Sequence, residues 1–140
     1  CIVVGVGKSY LIGLKVSATL SSLGTPSVAF SANDLQHGGL GAIQKNHDCL
    51  LVFSVSGESS ELNSILRYAN RYNVPVIGVS CKSNSMLLKH SRVKILLPKV
   101  KEADPTGMVP TSSTSITMLL GDCLATTVMH EKKFSKEKFM

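Results

Sequence analysis

A run of hydroxyl side chains follows an apolar segment in the middle of the chain. It reads Ser54-Val55-Ser56-Gly57-Glu58-Ser59-Ser60-Glu61, and we call residues 54–61 the hydroxyl loop. Hydroxyls and the free backbone N–H groups at the start of a helix both donate hydrogen bonds to phosphate oxygens. Helix capping by Ser59 or Ser60, with the acids complementing the helix dipole, explains the same pattern. Taken alone, the run leaves phosphate binding and capping equally open.

A glycine-rich turn, Gly5-Val6-Gly7-Lys8-Ser9, follows the first apolar segment. Its glycines allow a ligand to approach the backbone, and the start of the following helix favours an anion. A nucleotide-triphosphate P-loop is excluded because Ile2 stands where its first glycine is required. A dinucleotide fingerprint is excluded because Tyr10 takes the place of its third glycine. An ordinary tight turn is the alternative to a ligand-binding role.

Hydroxyls recur in Pro110-Thr111-Ser112-Ser113-Thr114, at the start of the last helical segment. Capping explains one of these hydroxyls, so the group also favours an anion. Glu102 lies shortly before, in a non-periodic stretch over residues 98–110 whose length is typical of functional loops. Without further context, Glu102 is most simply a solvated acid. His37, in a glycine-rich turn at residues 37–41, is most simply a hydrogen-bonding turn residue.

Short apolar segments alternate with amphipathic ones along the chain. The former are rich in β-branched residues and predict strands over residues 2–4, 27–30, 50–53, 76–79 and 93–97. Their near-continuous apolarity predicts strands covered on both faces. Apolar residues at helical spacing predict long helices over residues 12–23, 62–69 and 116–128, with shorter ones over 33–37 and 85–90.

This alternation is typical of βαβ units and a mostly parallel sheet. Functional loops of such sheets follow the carboxyl ends of the strands, near the point where the strand order reverses. The glycine-rich turn and the hydroxyl loop each follow a predicted strand and would therefore lie side by side. Their predicted proximity favours phosphate binding over simple capping.

The composition is that of one globular domain. The chain has 140 residues, 44% of them hydrophobic and 17% charged, which excludes intrinsic disorder. No apolar run reaches the roughly 18 residues that span a bilayer, and no secretion signal is visible, so we expect a cytoplasmic protein without membrane association. The four cysteines are scattered and form no C-x-x-C pair, so we expect reduced thiols and no zinc site.

The formal net charge of +6 suits an anionic small ligand. Part of the excess lies in a basic tail, where attraction to nucleic acid is a weaker interpretation than a solvated helix end. We therefore expect no nucleic-acid partner. The lysines of this tail are Lys132, Lys133, Lys136 and Lys138.

Seven stretches together resemble the SIS (sugar isomerase) domain of the arabinose-5-phosphate isomerase family, nearly from end to end. The Ser-x-Ser-Gly-Glu part of the hydroxyl loop is general to SIS domains, whereas His-Gly-x-Leu-Gly and Pro-Thr-Ser-Ser-Thr favour this subfamily. Besides the hydroxyl loop, the stretches are residues 5–9, 22–26, 37–41, 101–105, 108–114 and 121–122.

The resemblance implies a three-layer α/β/α sandwich with a five-stranded parallel sheet, doubly wound in the flavodoxin-like manner. It implies interconversion of D-ribulose 5-phosphate and D-arabinose 5-phosphate through an enediol, a step toward the Kdo of lipopolysaccharide and capsules. It also implies a homo-oligomer, either a dimer or a tetramer. The chemistry requires no metal, and we expect no cofactor.

Positions that match the family's site give four expected catalytic residues, Lys8, His37, Glu61 and Glu102. A carboxylate with a raised pKa can serve as a base near neutral pH, so the proton carrier is expected to be Glu102 or a family histidine placed just past Met140. Lys8 would offset charge on the substrate oxygen, and Glu61 would orient the sugar. The expected phosphate-binding residues are Gly7, Ser9, Ser54, Ser56, Gly57, Ser59, Thr111, Ser112 and Ser113.

The sequence departs from the family pattern at Tyr10, Gly39 and Asp104, which replace a usual Gly, Asp and Cys. We expect residues 1–140 to form a single SIS domain of a trimmed protein, with CBS domains downstream, that binds sugar phosphate but isomerises it slowly. Two alternatives stay open, a non-catalytic module that senses a sugar phosphate and an isomerase of another sugar phosphate. Retention of Lys8, Glu61 and Glu102 favours the enzyme.

Overall fold

The computed structural model describes residues 1–135 and residue 137, so Lys136 and Lys138 of the basic tail lie outside the described residues. Its five strands are β1 (Ile2–Gly5), β2 (Val28–Ser31), β3 (Leu50–Phe53), β4 (Val76–Ser80) and β5 (Val93–Leu96). Its helices are α1 (Lys8–Ser22), α2 (Ala32–Gln36), α3 (Leu62–Arg71), α4 (Met86–Lys89) and α5 (Ser112–Glu131), with a 3₁₀ turn at Gly39–Ala42.

All five strands are parallel and lie in the order β2-β1-β3-β4-β5. This order confirms the predicted doubly wound α/β fold. The order reverses between β1 and β3, whose carboxyl ends are in register at Gly5 and Phe53. Loops that leave these two strands therefore form the crevice in which such sheets bind ligands.

The sheet separates two apolar cores, which makes the fold a three-layer sandwich. Because side chains alternate along a strand, Ile2 and Val4 of β1 face one core and Val3 faces the other. The first core packs the sheet against α2, α3 and α4, with Leu35, Leu62, Ile65 and Leu87 fully buried. The second core packs it against α1 and α5 through Val16, Leu20, Leu120 and Ala125.

The prediction that the strands are covered on both faces is confirmed for the centre of the sheet and wrong for its edges. Every residue of β1 and β3 is buried. By contrast, Val28 of β2 is 47% exposed, and Val93 and Leu96 of β5 are 48% and 56% exposed. The edge strands have a neighbouring strand on one side only.

Helices α1 and α5 lie side by side and form one outer layer. Gly121 of α5 faces Val16 of α1 so closely that an added Cβ would lie 2.2 Å from the Val16 Cγ2 atom. Lys15 and Asp122 form an ion pair between the same two helices. The last helix therefore packs directly on the first.

No helix within the described residues is long and apolar enough to cross a membrane.

Candidate functional site

The hydroxyl loop leaves β3 at the carboxyl edge of the sheet and folds back on itself. The N–H of Ser54 donates to the Val79 carbonyl at 3.1 Å, which continues the sheet by one residue. The buried Ser54 Oγ accepts a 3.1 Å hydrogen bond from the Gly57 N–H and lies 3.3 Å from the Ser59 Oγ. The loop is therefore a compact turn built around the Ser54 hydroxyl.

Gly57 is required by this turn. Its φ of +66° lies in the left-handed region, where other residues are strained. An added Cβ would lie 2.4 Å from the Ser85 Oγ and 2.8 Å from the Ser80 Oγ. The hydroxyl loop therefore packs against Ser85, at the start of α4.

The start of α3 leaves backbone donors unoccupied. Neither Ser59 nor Ser60 caps the helix, because Glu61 occupies the N-cap position and makes no capping hydrogen bond with its side chain. The N–H groups of Val55, Ser56, Ser59, Ser60 and Glu61 have no hydrogen-bond partner among the described residues. Such donors at the start of a 10-residue helix attract an anion.

A cavity of about 340 Å³, which we call the loop cavity, is lined by Val55, Ser56 and Ser59 of this set but not by Ser60 or Glu61. The structure brings the glycine-rich turn, the hydroxyl loop and the first turn of α5 together around it. Lys8 is exposed at its edge and makes no ion pair with any described residue. The polar residues that line the cavity are Lys8, Ser9, Ser54, Ser56, Ser59 and Thr114.

Gly7 shapes the turn that presents Lys8. It occupies the N-cap position of α1 with φ +55°, and its carbonyl accepts the first intrahelical hydrogen bonds from Tyr10 and Leu11. Helix α1 therefore begins at Lys8, directly after this exposed glycine. The Lys8 side chain lies at the edge of the loop cavity.

A second cavity of about 500 Å³ lies next to the first, and we call it the β4 cavity. It is bounded by the turn after β4, residues 99–102 and the start of α5. Val55 lines both cavities, so they meet at the hydroxyl loop. The other lining residues are Cys81, Lys82, Ser83, Lys99, Val100, Glu102 and Ser113.

Glu102 caps α5 from the preceding loop. Its Oε2 accepts hydrogen bonds from the Thr111 N–H at 2.8 Å, the Thr111 hydroxyl at 3.1 Å and the Ser113 N–H at 3.2 Å. These donors of Ser113 and Thr111 lower the pKa of Glu102 to about 2, because they stabilise the charged carboxylate. The expected raised pKa is therefore corrected, and Glu102 is a weak base in this arrangement.

The same contacts alter the expectation for residues 111–113. The backbone donors of Thr111 and Ser113 bind the protein's own carboxylate instead of being free for an external anion. Thr111 also accepts a 2.8 Å hydrogen bond from the Ala103 N–H through its hydroxyl. Ser112 is half-buried and lines neither cavity, whereas Thr114, one turn into the helix, lines the loop cavity.

His37 and Glu61 line neither cavity. His37 is exposed at the C-terminal end of α2, which follows the edge strand β2. The Glu61 carboxylate accepts a 3.3 Å hydrogen bond from the Ser60 hydroxyl, and its carbonyl accepts one from the Gln36 side chain. The structure thus places Lys8 with the serines at the loop cavity and Glu102 at the neighbouring β4 cavity. It places His37 and Glu61 at neither cavity.

Residues after β4 contact the hydroxyl loop and were missed by the sequence analysis. The Cys81 N–H donates to the Val55 carbonyl at 2.9 Å, and Lys82 pairs with Glu58 at 2.9 Å. Both residues follow a strand at the carboxyl edge of the sheet, which was a usable signal. Cys81 and Lys82 are single residues, without the cluster of hydroxyl side chains that distinguishes the hydroxyl loop in the sequence.

The chain is similar to curated sugar-phosphate isomerases. Arabinose 5-phosphate isomerase KdsD of Francisella tularensis is 40% identical over 138 residues, and KdsD of Escherichia coli K12 is 37% identical. Each alignment covers 99% of this chain and 42% of the relative, so the chain spans less than half the length of these curated relatives.

A solved structure of an Escherichia coli CFT073 protein in complex with arabinose 5-phosphate superimposes with a TM-score of 0.94 at 31% identity. The match covers 99% of this chain and 73% of that one. The family model of the SIS domain matches residues 1–127. With its parallel sheet, its hydroxyl loop and this match over most of its length, the chain belongs to the SIS domain family.

Proposed function

We propose that the loop cavity binds the phosphate of a sugar phosphate, and that the protein interconverts arabinose 5-phosphate and ribulose 5-phosphate. One observation carries the proposal. Residues with unoccupied N–H groups (Val55, Ser56 and Ser59), further serine side chains and Lys8 all line one cavity. Backbone donors at a helix start together with a lysine are complementary to a phosphate dianion.

The sugar part is assigned to the neighbouring β4 cavity. Val55 separates the two cavities, so a phosphate held by Ser56 and Ser59 leaves the carbon chain free to extend toward Glu102. Hydroxyls, the Lys82 and Lys99 ammonium groups and a carboxylate line this space, and such groups can hydrogen-bond a polyol.

The substrate assignment is supported by relatives. Curated proteins 36–40% identical to this chain are named arabinose 5-phosphate isomerases, and the structure with a TM-score of 0.94 contains arabinose 5-phosphate. We extend this substrate to the present protein, with a role in the synthesis of lipopolysaccharide or capsule sugars and a cytoplasmic location.

The isomerisation moves a proton between neighbouring carbons of the open-chain sugar, so it needs a base and a group that stabilises negative charge on oxygen. Lys8 supplies the positive charge at the cavity edge. Glu102, with a pKa of about 2, is assigned to holding α5 and contacting the sugar instead of moving the proton. The proton transfer is assigned to a histidine, either His37 after rearrangement or the family histidine expected after Met140.

The test measures binding and turnover separately. Calorimetric titration with arabinose 5-phosphate should show binding that Lys8→Ala weakens at least tenfold, whereas Lys15→Ala, on the outer face of α1, should bind normally. Ribulose 5-phosphate formation is then followed in the same samples. Failure of the unmodified protein to bind arabinose 5-phosphate would contradict the proposed function.

A sensor without catalytic activity is the second candidate. The observation that favours it is the absence of a suitable base from both cavities within the described residues, since Glu102 has a low pKa and His37 lies outside. Tight binding of arabinose 5-phosphate with no ketose formed, by this chain or by a version extended through the expected histidine, would support the sensor.

We propose that the protein self-associates through the outer faces of α1 and α5. Leu11 and Leu14 of α1 are 61% and 43% exposed, and Met118 and Leu119 of α5 are 37% and 65% exposed. The two helices are neighbours, so these side chains form one apolar surface, which we call the α1/α5 face. An apolar surface of this kind is typical of contacts between copies of a chain.

A further inference from the structure

The hydroxyl loop makes its most extensive contacts with β4 and α4. The Cys81 N–H donates to the Val55 carbonyl at 2.9 Å, and the Leu87 N–H donates to the Gly57 carbonyl at 3.0 Å. Lys82 adds an ion pair to Glu58 at 2.9 Å on the exposed side. The conformation of the loop therefore depends on residues that are remote from it in sequence and line no part of the loop cavity.

Ser80, the last residue of β4, lies at the centre of these contacts. It is 1% exposed, and its hydroxyl both donates and accepts a hydrogen bond. The Ser80 Oγ donates to the Val55 carbonyl at 3.1 Å and accepts a hydrogen bond from the Lys82 N–H at 3.1 Å. A single buried hydroxyl thus ties the hydroxyl loop to the turn that follows β4.

The orientation of one peptide unit links Ser80 to the ligand cavity. The Val55 carbonyl and the Ser56 N–H belong to the same planar trans peptide, so they point in opposite directions. Ser80 and Cys81 hold the carbonyl on the β4 side. The Ser56 N–H therefore points away from β4, has no partner among the described residues, and belongs to a residue that lines the loop cavity.

We propose that Ser80 is a positioning residue for phosphate binding. It acts without touching the ligand, by fixing the Val55–Ser56 peptide so that the Ser56 N–H is a ready donor to the phosphate. This inference rests on the proposed function, because it specifies how the phosphate site keeps its shape.

The test compares Ser80→Ala with Ser91→Ala. Ser91 is a matched control because it is also buried, next to Gly78 of β4. Its hydroxyl donates to the Leu87 carbonyl at 2.7 Å. Ser80→Ala should fold, since the Cys81 N–H still binds the Val55 carbonyl. We expect its dissociation constant for arabinose 5-phosphate and for inorganic phosphate to rise about five- to tenfold, the effect of one hydrogen bond, with Ser91→Ala unchanged.

A measurement without ligand tests the positioning role of Ser80 separately from the proposed sugar-phosphate function. Amide exchange of Cys81 and Gly57, followed by NMR, should be faster in Ser80→Ala than in Ser91→Ala, whereas exchange within α1 should be equal. Ser80→Cys replaces the hydroxyl with a slightly larger thiol that is a weak donor, and it should give intermediate values. Equal phosphate affinity and equal exchange in Ser80→Ala and Ser91→Ala would overturn the positioning role. An unmodified protein that binds no sugar phosphate, together with faster exchange in Ser80→Ala, would instead refute the proposed function alone.

Discussion

The Thr111 N–H donates a 2.8 Å hydrogen bond to the carboxylate of Glu102, nine residues earlier in the chain. The same oxygen accepts from the Ser113 N–H, so one side chain satisfies two of the free donors at the start of the 20-residue helix α5. Its negative charge also complements the helix dipole. This contact connects the loop of residues 98–110 to the start of α5, and Glu102 and Ser113 both line the β4 cavity.

Glu102→Gln should lower the free energy of unfolding at neutral pH, and the loss should shrink in acid. The folded-state pKa of about 2 lies below the ordinary value of 4.5, so the carboxylate stabilises the fold above about pH 4.5. That stabilisation disappears as the pH falls toward 2. Urea titrations of both proteins at about pH 7, 4 and 3 measure the difference. A difference independent of pH would contradict the capping role of the charge.

Arabinose 5-phosphate should raise the melting temperature, and arabinose without phosphate should not, because the free donors of the loop cavity bind the phosphate. Ser56→Ala should weaken binding by about 1–2 kcal/mol, the scale of a hydrogen bond to a charged group. Ser60→Ala is the matched control, since Ser60 belongs to the same loop but does not line the cavity. Equal stabilisation by both sugars would contradict the phosphate site.

Gly57→Ala should lose phosphate binding and destabilise the fold by about 1–3 kcal/mol. The added methyl group would strain a backbone with φ +66° and collide with the Ser85 side chain. Gly41→Ala provides the control, because a Cβ at Gly41 meets no atom within 4 Å. Chemical denaturation and calorimetric titration measure both effects. A Gly57→Ala protein with normal phosphate affinity would show that the loop can bind in another shape.

Cys81 should react more slowly with iodoacetamide than the exposed Cys123. Burial, and then the negative charge of Glu102, raise the pKa of the Cys81 thiol and so reduce its thiolate fraction. Glu102→Gln should speed the reaction at Cys81 and leave that at Cys123 unchanged. Peptide mass spectrometry over time gives both rates. An unchanged rate at Cys81 in Glu102→Gln would indicate that the two side chains do not interact.

Leu119→Glu should shift the protein toward the monomer if the α1/α5 face joins two copies. The side chain is 65% exposed, so the charge costs little in the monomer but would be buried in the contact. Val93→Glu, on the edge strand β5, is the control, because Val93 is also exposed, at 48%. Multi-angle light scattering measures both masses. A monomeric unmodified protein at all accessible concentrations would contradict self-association through this face.

The sequence allowed the sheet and the hydroxyl loop to be predicted, because both depend on local patterns. Apolar segments such as β1 and β3 are buried at the centre of a parallel sheet, and serines around Gly57 stand out in sequence. The role of Glu102 could not be predicted in this way. Whether a loop carboxylate is solvated or caps a helix depends on how residues 98–110 fold back, and the pKa follows from that geometry.

The position of His37 relative to the cavities could not be predicted from the sequence pattern either. Its motif follows β2 in sequence, and only the strand order shows that β2 is an edge. Ser80 was overlooked because a serine that ends a buried strand resembles an ordinary strand terminus. One of its two hydrogen bonds joins residues 25 positions apart in the chain, which no local spacing reveals.

The packing of α5 on α1 has a consequence for the order in which the chain folds during synthesis. Lys15 and Asp122, which pair across these helices, are 107 residues apart in sequence. All five strands leave the ribosome before α5, yet one face of the sheet lacks half of its cover until that helix arrives. Nascent chains that stall within residues 112–131 would therefore expose the apolar surface around Val3, Leu51 and Phe53, and would depend on chaperones until translation resumes.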